Sequence, residues 1–446
     1  MTASRLSCRI RARMSSLLHV RAAFAFGAIG ISSASVADSL GSAGARAAGR
    51  RHGRRLMLQC SIPSKRPDQE ADMSEQSGGE PHNPATAVPE SPVSDVIEAQ
   101  SAQGSGHVLA GPKAEKPVAL ALQGGGAHGA FTWGVLDALI EDGRLGFEAV
   151  TGASAGAMNA VVLVDGWLKG GPDGAREGLE RFWREVSLDG DLGPAQRNFV
   201  SGLFSLWKGN PVAEFWAKML APSPYVSNPL NINPLRKALA EQVDFDRLRE
   251  ADTAGLFVSA TNVWTGKLAV FERERLTLDH LMASACLPTV FQAVEIDGVP
   301  YWDGGYLGNP PLYPLHRGAQ TRDIVLVQIN PVERRETPRT EAEIRDRLNE
   351  ITFNANLMRE LRAIDFLDGL IEEGVLGQGQ YRRVLVHRID GTDALEDYNA
   401  ASKLDARWTV FKRLRDKGRA AAQAWLAENY DAVGRDCTVD LQQAYQ

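Results

Sequence analysis

Several features that mark other protein classes are scarce in this chain of 446 residues. It has only four cysteines, without CxxC or Cys/His spacing, which argues against a disulfide framework or a structural zinc site. No uncharged apolar run reaches the roughly 20 residues that a membrane-spanning helix needs. Lys and Arg number 49 against 55 Asp and Glu, so no basic surplus exists to bind nucleic-acid phosphates. The hydrophobic share of 44% is ordinary for a globular protein with a sizeable core.

Basic residues are concentrated at the N-terminal end, where residues 1–72 carry 12 Lys and Arg against 4 Asp and Glu. This basic extension contains an apolar stretch and a small-residue step at Ser35-Val36-Ala37, as secretory signals do, although Arg21 interrupts the stretch. A start further downstream, at Met57 or Met73, fits the sequence equally well. We expect a cytoplasmic protein with peripheral membrane contact, and secretion only if this segment is a working signal.

Residues 73–115 are rich in Pro, Ser, Glu and Gly and contain little that could be buried, which is typical of a disordered linker. The folded part is therefore expected to begin near Lys116. We divide it into a main domain over residues 116–330 and a helical C-terminal part over residues 331–446 that packs on the main domain.

Strand and helix patterns alternate in the folded part. The apolar run 117–123 predicts a strand buried on both faces, and the apolar spacing over 130–143 predicts a helix after it. A second strand, a tight turn and an apolar helix follow in the segment FEAVTGASAGAMNAVVLV, which is typical of a parallel sheet in the α/β class. Further strands are predicted at 256–263, 267–272, 323–330 and 382–389, and further helices at 341–373 and 403–429.

The segment Gly152-Ala153-Ser154-Ala155-Gly156 fits the GxSxG pattern between an apolar strand and a helix. A serine on such a strand-to-helix turn has a cramped backbone, so its neighbours must be small. The helix N-terminus beyond it favours negative charge nearby. Ser154 is therefore a candidate nucleophile. The alternative is a turn of small residues in which this serine only caps the helix.

The first strand ends in the glycine-rich segment 124–129, which also fits the GxGxxG pattern of dinucleotide-binding loops. That pattern expects an acidic residue about 20 positions later, at the end of the second strand. The nearby acids Glu141, Asp142 and Glu148 precede or begin that strand, and its end leads into Ser154 instead. We therefore interpret the glycine loop as a source of backbone N–H donors for an oxyanion.

A serine nucleophile needs a base, and two kinds of candidate follow it in the chain. The histidines that could complete a Ser-His-Asp triad are His280, His316 and His387. Of these, His387 lies in an apolar strand pattern that a core histidine also explains. The other candidate is Asp303, which two glycines follow, so that it stands on a tight turn that backbone can approach closely. Taken alone, it is equally well explained as an ordinary Asp-Gly turn.

Together the segments GGGAHG, GASAG and DGG, in this order and context, resemble the patatin-like phospholipases over roughly residues 117–330. The opening ALQGGGAHGAFTWGVL is similar to a bacterial subgroup of that family. The resemblance implies an α/β, three-layer patatin-like fold, with a central, mostly parallel sheet flanked by helices. It also implies lipid acyl hydrolysis by a Ser–Asp dyad without histidine, cofactor or metal.

Carried over by position, the resemblance implies roles for individual residues. Ser154 would be the nucleophile and Asp303 its general base, with an acyl-enzyme intermediate. The oxyanion hole would be formed by backbone N–H groups of Gly124, Gly125 and Gly126. The remaining motif glycines are Gly129, Gly152, Gly156, Gly304 and Gly305. One departure concerns His128, because many family members have Arg or Lys there; if that charge helps to place a head group, the preference for phospholipid over neutral lipid is open.

Residues 199–230 form a predicted helical, aromatic-rich insertion. Its aromatic residues include Phe204, Trp207, Phe215, Trp216 and Tyr225. Such a segment could line an acyl tunnel, touch a lipid surface or pack as a cap on the core. We expect a lipid or acyl-ester substrate and transient, apolar contact with a membrane or micelle surface, because the folded part is net negative.

Two other functions fit the sequence. One is a general carboxylesterase with a Ser-His-Asp triad that recruits His316 or His387. The other is a catalytically quiet lipid- or protein-binding module on the same scaffold. No nucleic-acid partner is expected, and the oligomeric state, the head group and the acyl length stay open.

Overall fold

The computed structural model describes residues 107–190, 223–376, 382–396, 398, 402–403 and 405–445. All of them belong to one compact unit, Val88–Gln446. The predictions for the basic extension, for most of the linker and for residues 199–222 of the insertion lie outside the described residues.

An eight-stranded mixed sheet forms the centre of the described part. Its strands are β1 (Lys116–Leu122), β2 (Leu145–Gly152), β3 (Gly255–Asn262), β4 (Leu268–Glu272), β5 (Val294–Ile296), β6 (Val299–Asp303), β7 (Asp323–Gln328) and β8 (Leu385–Asp390). Their order is β5-β6-β3-β2-β1-β7-β8, with β4 paired to β3 as well. Five neighbouring strands, β3, β2, β1, β7 and β8, run parallel to one another. Strands β4 and β6 run antiparallel to β3. The carboxyl ends of β1 and β2 therefore meet at one edge of the sheet.

Helices surround this sheet. They are α1 (Gly129–Asp142), α2 (Ala155–Glu185), α3 (Pro224–Ser227), α4 (Pro234–Gln242), α5 (Phe245–Glu250), α6 (Leu278–Ser284), α7 (Leu315–Gly318), α8 (Glu341–Glu372), α9 (Trp408–Asn429) and α10 (Leu441–Tyr445). Helix α2 is kinked where Gly170 and Gly171 leave helical geometry before Pro172, since proline cannot donate the next helical hydrogen bond. Short 3-10 turns at Gly126–His128 and Gly304–Tyr306 follow β1 and β6.

Strand β1 shows how the sequence pattern produces a sheet that is buried on both faces. Successive side chains of a strand point to opposite faces. Val118, Leu120 and Leu122 join one apolar core, together with residues of α1, α2 and α9. Ala119 and Ala121 join a second core, together with residues of α8 and α10. Two cores on either side of one sheet make the three-layer α/β architecture that the sequence predicts.

The C-terminal part contributes a strand to the sheet as well as helices. Strand β8 pairs in parallel with β7, and α9 packs closely on α1. A Cβ atom on Gly418 of α9 would overlap the carbonyl oxygen of Phe131 in α1, so only glycine permits this approach. The division expected at residue 330 is therefore not a boundary of the sheet, because β8 lies beyond it.

The N-terminal end of the packed region also differs from the expected one. Leu109 is buried and exchanges two backbone hydrogen bonds with Phe147 of β2, at 2.9 and 3.0 Å. The segment packed on the sheet thus begins before Lys116, within the stretch expected to be linker. In the part of the chain that the structure describes, no helix is long and apolar enough to cross a membrane.

Candidate active site

Ser154 stands on the turn between β2 and α2, where the GxSxG pattern predicts it. Its backbone has φ 52° and ψ −124°, a conformation that is rare for a residue with a side chain and that persists only where the surrounding structure enforces it. Its N–H is donated to the Oγ of Ser284 at 3.0 Å. The side chain of Ser154 makes no capping hydrogen bond to α2, which argues against a purely structural serine.

Close backbone contacts explain why glycine flanks this turn. A Cβ atom on Gly156 would overlap the carbonyl oxygen of Leu122, and one on Gly124 would lie 2.7 Å from the Cβ of Ser154. The glycine loop and the serine turn therefore touch, which brings two of the sequence motifs into one site. Contacts below 3.0 Å would also meet a Cβ atom on each of the other motif glycines, Gly125, Gly126, Gly129, Gly152, Gly304 and Gly305.

Asp303 ends β6, and strand pairing brings it to the edge of the sheet where the serine turn lies. Asp303 pairs with Ala260 of β3, while Gly152 of β2 pairs with β3 two residues earlier. Its carboxyl group is fully buried. Oδ1 accepts the N–H of Gly305 at 2.7 Å, whereas Oδ2 accepts no hydrogen bond within the described part of the chain. The third motif thus places a carboxylate oxygen without a partner beside the first two.

The surroundings of Asp303 raise the pKa of its carboxyl group from 3.8 to about 7. Burial is the main cause, because it penalises the charged form. The Gly305 N–H and the Ser154 hydroxyl act in the opposite direction and lower the pKa, so the Ser154 side chain is close enough to interact with the carboxylate. A carboxylate with a free oxygen and a pKa near neutrality is suited to take a proton from an adjacent hydroxyl.

The three glycines of the loop differ in what their N–H groups do. The N–H of Gly124 is donated to Asn309 Oδ1 at 2.6 Å, so the expectation that it serves an oxyanion is wrong. The N–H groups of Gly125 and Gly126 donate to no acceptor among the residues described. Gly126 is exposed and has φ 59°, which a residue with a side chain rarely adopts. The candidate oxyanion hole therefore consists of two donors rather than three.

Two of the histidines that follow Ser154 are directed to the other end of the sheet. The His387 ring is buried and lies 2.9 Å from Asp323 and 3.3 Å from Thr438. Asp323 begins β7, so it lies at the amino ends of the parallel strands, opposite the serine turn. His316 belongs to α7, whose last residue packs against the first residue of β3. Neither position supports a triad with Ser154.

The third histidine, His280, is engaged in a helix cap. Its Nδ1 accepts the N–H of Thr277 at 3.0 Å and lies 2.8 Å from the hydroxyl of the same residue. Its ring packs on Phe271, with the ring centres 4.1 Å apart. No hydrogen bond joins His280 to Ser154 in the described part, so none of the three histidines that follow Ser154 is placed as a partner of the nucleophile there.

His128, the position where the chain departs from the family pattern, is buried behind the glycine loop. Its Nε2 lies 2.7 Å from the hydroxyl of Ser402. Burial is the main reason that the pKa of its imidazole falls to about 3, and the positive charges of Lys403 and Arg334 lower it further. The ring is neutral near pH 7, so it supplies no charge to a substrate head group.

Four side chains at the site were not among the candidates from the sequence. Ser284 accepts the N–H of Ser154, and Asn309 accepts that of Gly124. Asn330 and Lys403 lie behind the glycine loop. Asn330 had one indirect signal, since it ends a predicted parallel strand and such ends meet at one edge. The other three had no signal in the sequence, because distant segments bring them to the loop.

The contacts also indicate whether the described residues could hold a dinucleotide or a metal ion. The glycine loop packs against the Ser154 side chain, at the place where a dinucleotide site would need an acid. Over the residues that the structure describes, no group of three or more His, Cys, Asp or Glu side chains could hold a metal ion. The arrangement is therefore best described as a serine, a carboxylate and two backbone donors.

Residues 120–316 match the family model of the patatin-like phospholipases. The similarity to this family of lipid acyl hydrolases is thus established for residues 120–316 of the chain. Among solved structures, it is similar to VipD from Legionella pneumophila, with 18% identity and a TM-score of 0.35, over 71% of this chain and 67% of that chain. No curated protein matches the chain.

Proposed function

We propose that the protein is a serine lipid acyl hydrolase that cleaves fatty-acyl esters through a Ser154–Asp303 dyad. The observation that carries this proposal is the buried Asp303 carboxyl group, one oxygen of which has no hydrogen-bond partner among the described residues, beside a serine on a strained strand-to-helix turn. The family of residues 120–316 supports the same class of reaction.

In the proposed mechanism, Asp303 takes the hydroxyl proton of Ser154 as Oγ attacks the ester carbonyl carbon. The carbonyl π electrons move onto its oxygen, and the N–H groups of Gly125 and Gly126 donate to the resulting oxyanion. Collapse of this intermediate expels the alcohol, which takes the proton from Asp303 and leaves an acyl group on Ser154. Asp303 then takes a proton from water as its oxygen attacks the acyl carbonyl carbon. Collapse of the second intermediate breaks the acyl–Oγ bond, the Ser154 oxygen takes the proton back from Asp303, and the fatty acid is released.

The proposed substrates are long-chain acyl esters of lipids, including phospholipids, in micelles or membranes. The described end of the 199–230 segment exposes apolar side chains, with Tyr225 60%, Val226 67% and Leu230 80% exposed. Exposed apolar groups of this size favour transient contact with a lipid surface. A neutral His128 gives no charge-based preference between phospholipid and neutral lipid.

The test is fatty-acid release by the full chain from mixed micelles of phospholipid, lysophospholipid and triacylglycerol, beside a short p-nitrophenyl ester. Wild type is compared with Ser154→Ala and Asp303→Asn, both of which should lose activity on every substrate. Asp368→Asn is the matched control, because it removes another carboxyl group whose pKa is raised by burial, on α8 and next to Val384. It should retain activity.

Other outcomes point to the alternatives. Hydrolysis of the short ester alone would overturn the lipid part of the proposal in favour of a general esterase. Full activity of Asp303→Asn would exclude the dyad. No turnover, together with no labelling of Ser154 by a fluorophosphonate, would favour the quiet binding module.

A further inference from the structure

A line of hydrogen bonds connects a lysine to the glycine loop. The Nζ of Lys403 donates to Asn330 Oδ1 at 2.9 Å, and Asn330 Nδ2 donates to the carbonyl oxygen of Gly124 at 2.7 Å. The carbonyl of Gly124 and the N–H of Gly125 belong to the same planar peptide group. The line therefore runs from the Lys403 side chain, donor to acceptor at each step, and ends at one of the two loop N–H groups that have no acceptor among the described residues.

The orientation of the Asn330 amide follows from its neighbours. Lys403 can only donate, so it faces Oδ1, while Nδ2 faces two acceptors, the Gly124 carbonyl and Gln123 Oε1 at 3.3 Å. Gln123 Oε1 also accepts the N–H groups of Ile329 and Asn330, each at 2.9 Å. A flipped amide would place its NH₂ group against the ammonium, so this network admits one orientation of the line.

Asn309 holds Gly124 from a second side. Its Nδ2 donates to the Gly124 carbonyl at 3.3 Å, and its Oδ1 accepts the Gly124 N–H, which belongs to the preceding peptide group, at 2.6 Å. Asn309 and Asn330 are both fully buried, so these bonds are not shared with solvent. The carbonyl of Gly124 thus accepts from two amides, which fixes the plane of the peptide and the direction of the Gly125 N–H.

Hydrogen bonds in series strengthen one another, because a group that accepts a hydrogen bond gives up electron density and so becomes a better donor at its other end. A bond from an ammonium is stronger than one between neutral groups. The charge of Lys403 therefore polarises the Asn330 amide, then the Gly124 carbonyl and, through the peptide, the Gly125 N–H. The backbone of Lys403 also lies directly behind Gly126, where a Cβ atom would overlap its carbonyl oxygen.

Burial and the charges around Lys403 change the pKa of its ammonium group. Burial and the positive charge of Arg334 lower the pKa of the Lys403 ammonium, while the carboxylates of Glu350 and Asp346 raise it. Glu350 is buried and paired with Arg334 at 2.7 Å. Burial prevails, so the pKa of Lys403 is lower than in water, and the nearby carboxylates of Glu350 and Asp346 act to keep the ammonium form.

We propose that Lys403 is a positioning residue of the ester hydrolysis, which orients and polarises the Gly125 N–H toward the oxyanion through Asn330 and the Gly124 peptide. The inference rests on the proposed function, since it requires a reaction in which an oxyanion forms beside Ser154. Because Lys403 acts through other groups and touches no substrate, its loss should lower kcat and leave KM nearly unchanged.

The test uses the full chain and the variants Lys403→Met, Asn330→Ala and the double variant. We expect kcat to fall about 10-fold in each single variant, which is less than the roughly 100- to 1000-fold loss of a direct oxyanion donor. The kcat of the double variant should be no lower than that of the less active single variant, because both substitutions break the same series of hydrogen bonds. Lys403→Arg, which keeps a charged donor, should recover most of the activity.

A second readout separates this role from a merely structural one. A long-chain trifluoromethyl ketone forms a tetrahedral oxyanion with a serine nucleophile, so its affinity should fall by the same factor as kcat. Lys116→Met is the matched control, because Lys116 is a half-buried lysine that donates to the carbonyls of Tyr430 and Val433, at the opposite end of β1. It should change neither kcat nor ketone affinity.

Two results would overturn the inference in distinguishable ways. If wild type hydrolyses esters while Lys403→Met keeps its kcat and ketone affinity, the role of Lys403 is wrong and the dyad is unaffected. If wild type neither hydrolyses an ester nor binds the ketone, the proposed function fails and the inference fails with it.

Discussion

The backbone N–H of Ser154 is donated to the hydroxyl oxygen of Ser284, 3.0 Å away, and both residues are buried. Ser284 is the last residue of α6, so a helix that comes after β4 supports the turn that follows β2. A buried N–H without an acceptor costs free energy, and a non-glycine residue with positive φ adds to that cost. The contact therefore helps to keep the candidate nucleophile on its unfavourable turn.

Replacing Ser284 by alanine should affect both stability and turnover. The Ser154 N–H would lose its acceptor in a buried place, which typically costs about 1–3 kcal/mol in the free energy of unfolding. Relaxation of the turn should also lower kcat. Urea unfolding and ester turnover measure the two effects. Ser187→Ala is the control, since Ser187 is equally buried and its hydroxyl donates to the Arg184 carbonyl, so turnover should stay unchanged. A Ser284→Ala protein with wild-type stability and turnover would contradict this account.

The activity should depend on pH through Asp303. The general base must be ionised, and the pKa of its carboxyl group is raised to about 7. We expect kcat/KM to fall about tenfold for each pH unit below that value and to level off above it. Asp368→Asn should leave this acid limb in place, although the pKa of Asp368 is raised to about 6. A limb centred near pH 4 would show that the pKa of Asp303 is not raised by burial.

The same carboxyl group should make stability fall as pH rises. Its pKa is higher in the folded protein than the value of 3.8 expected for the unfolded chain, so the folded state binds more protons between pH 3.8 and about 7. The destabilisation is absent below that window, grows across it and is complete above pH 7. Asp303→Asn should therefore be more stable than wild type at pH 8 and nearly equal to it at pH 4. Urea unfolding at the two pH values measures this, and an equal difference at both would count against a perturbed Asp303.

Two glycine-to-alanine substitutions should have opposite effects on the free energy of unfolding. A methyl group at Gly156 would overlap the Leu122 carbonyl, so Gly156→Ala should displace the serine turn from β1 and cost about 1–3 kcal/mol or more, with loss of activity. Gly369, near the end of α8, has no atom within reach of a Cβ. Gly369→Ala should stabilise the protein by about 0.5–1 kcal/mol because alanine favours helix. Thermal or urea unfolding of both variants measures these effects. A Gly156→Ala protein with wild-type stability and activity would refute the steric explanation.

The histidines should be dispensable for the chemistry. We expect His280→Gln, His316→Gln and His387→Gln each to keep kcat within about twofold of wild type. His387→Gln alone should lose stability, since its buried ring is the partner of Asp323. Turnover and unfolding are measured on the same preparations. Loss of turnover in one well-folded variant would restore the triad alternative.

The fold class and the family resemblance, predicted from the sequence, are confirmed. The placement of the glycine loop and the serine turn was predictable because it depends on neighbours in the chain. An apolar strand, a run of small residues and an apolar helix are enough to specify the turn at Ser154. The predicted strand at 323–330 corresponds to β7, and the predicted helix at 341–373 to α8; both begin at the predicted residue and end one or two residues earlier than predicted.

What the sequence could not provide depends on strand order. Asn330 reaches the Gly124 carbonyl across 206 residues, and Lys403 reaches Asn330 across a further 73. Neither spacing is visible as a motif, because the parallel neighbours of β1 are known only once the sheet is assembled. The N–H of Gly124 was misassigned for the same reason, since its acceptor, Asn309, lies 185 residues away. The early start at Leu109 was missed because one buried leucine in a polar stretch gives no periodic signal.

Strand β7 lies between β1 and β8 in the sheet, but outside the segment that matches the family. The family match ends at residue 316, before β7 begins at Asp323. A fragment cut there would leave one edge of β1 unpaired, and open strand edges invite pairing between chains and aggregation. The segment that matches the family is thus shorter than the segment that forms the complete sheet. The residues after 316 supply β7 and β8, so a chain without them lacks the strands that cover β1 beside the glycine loop.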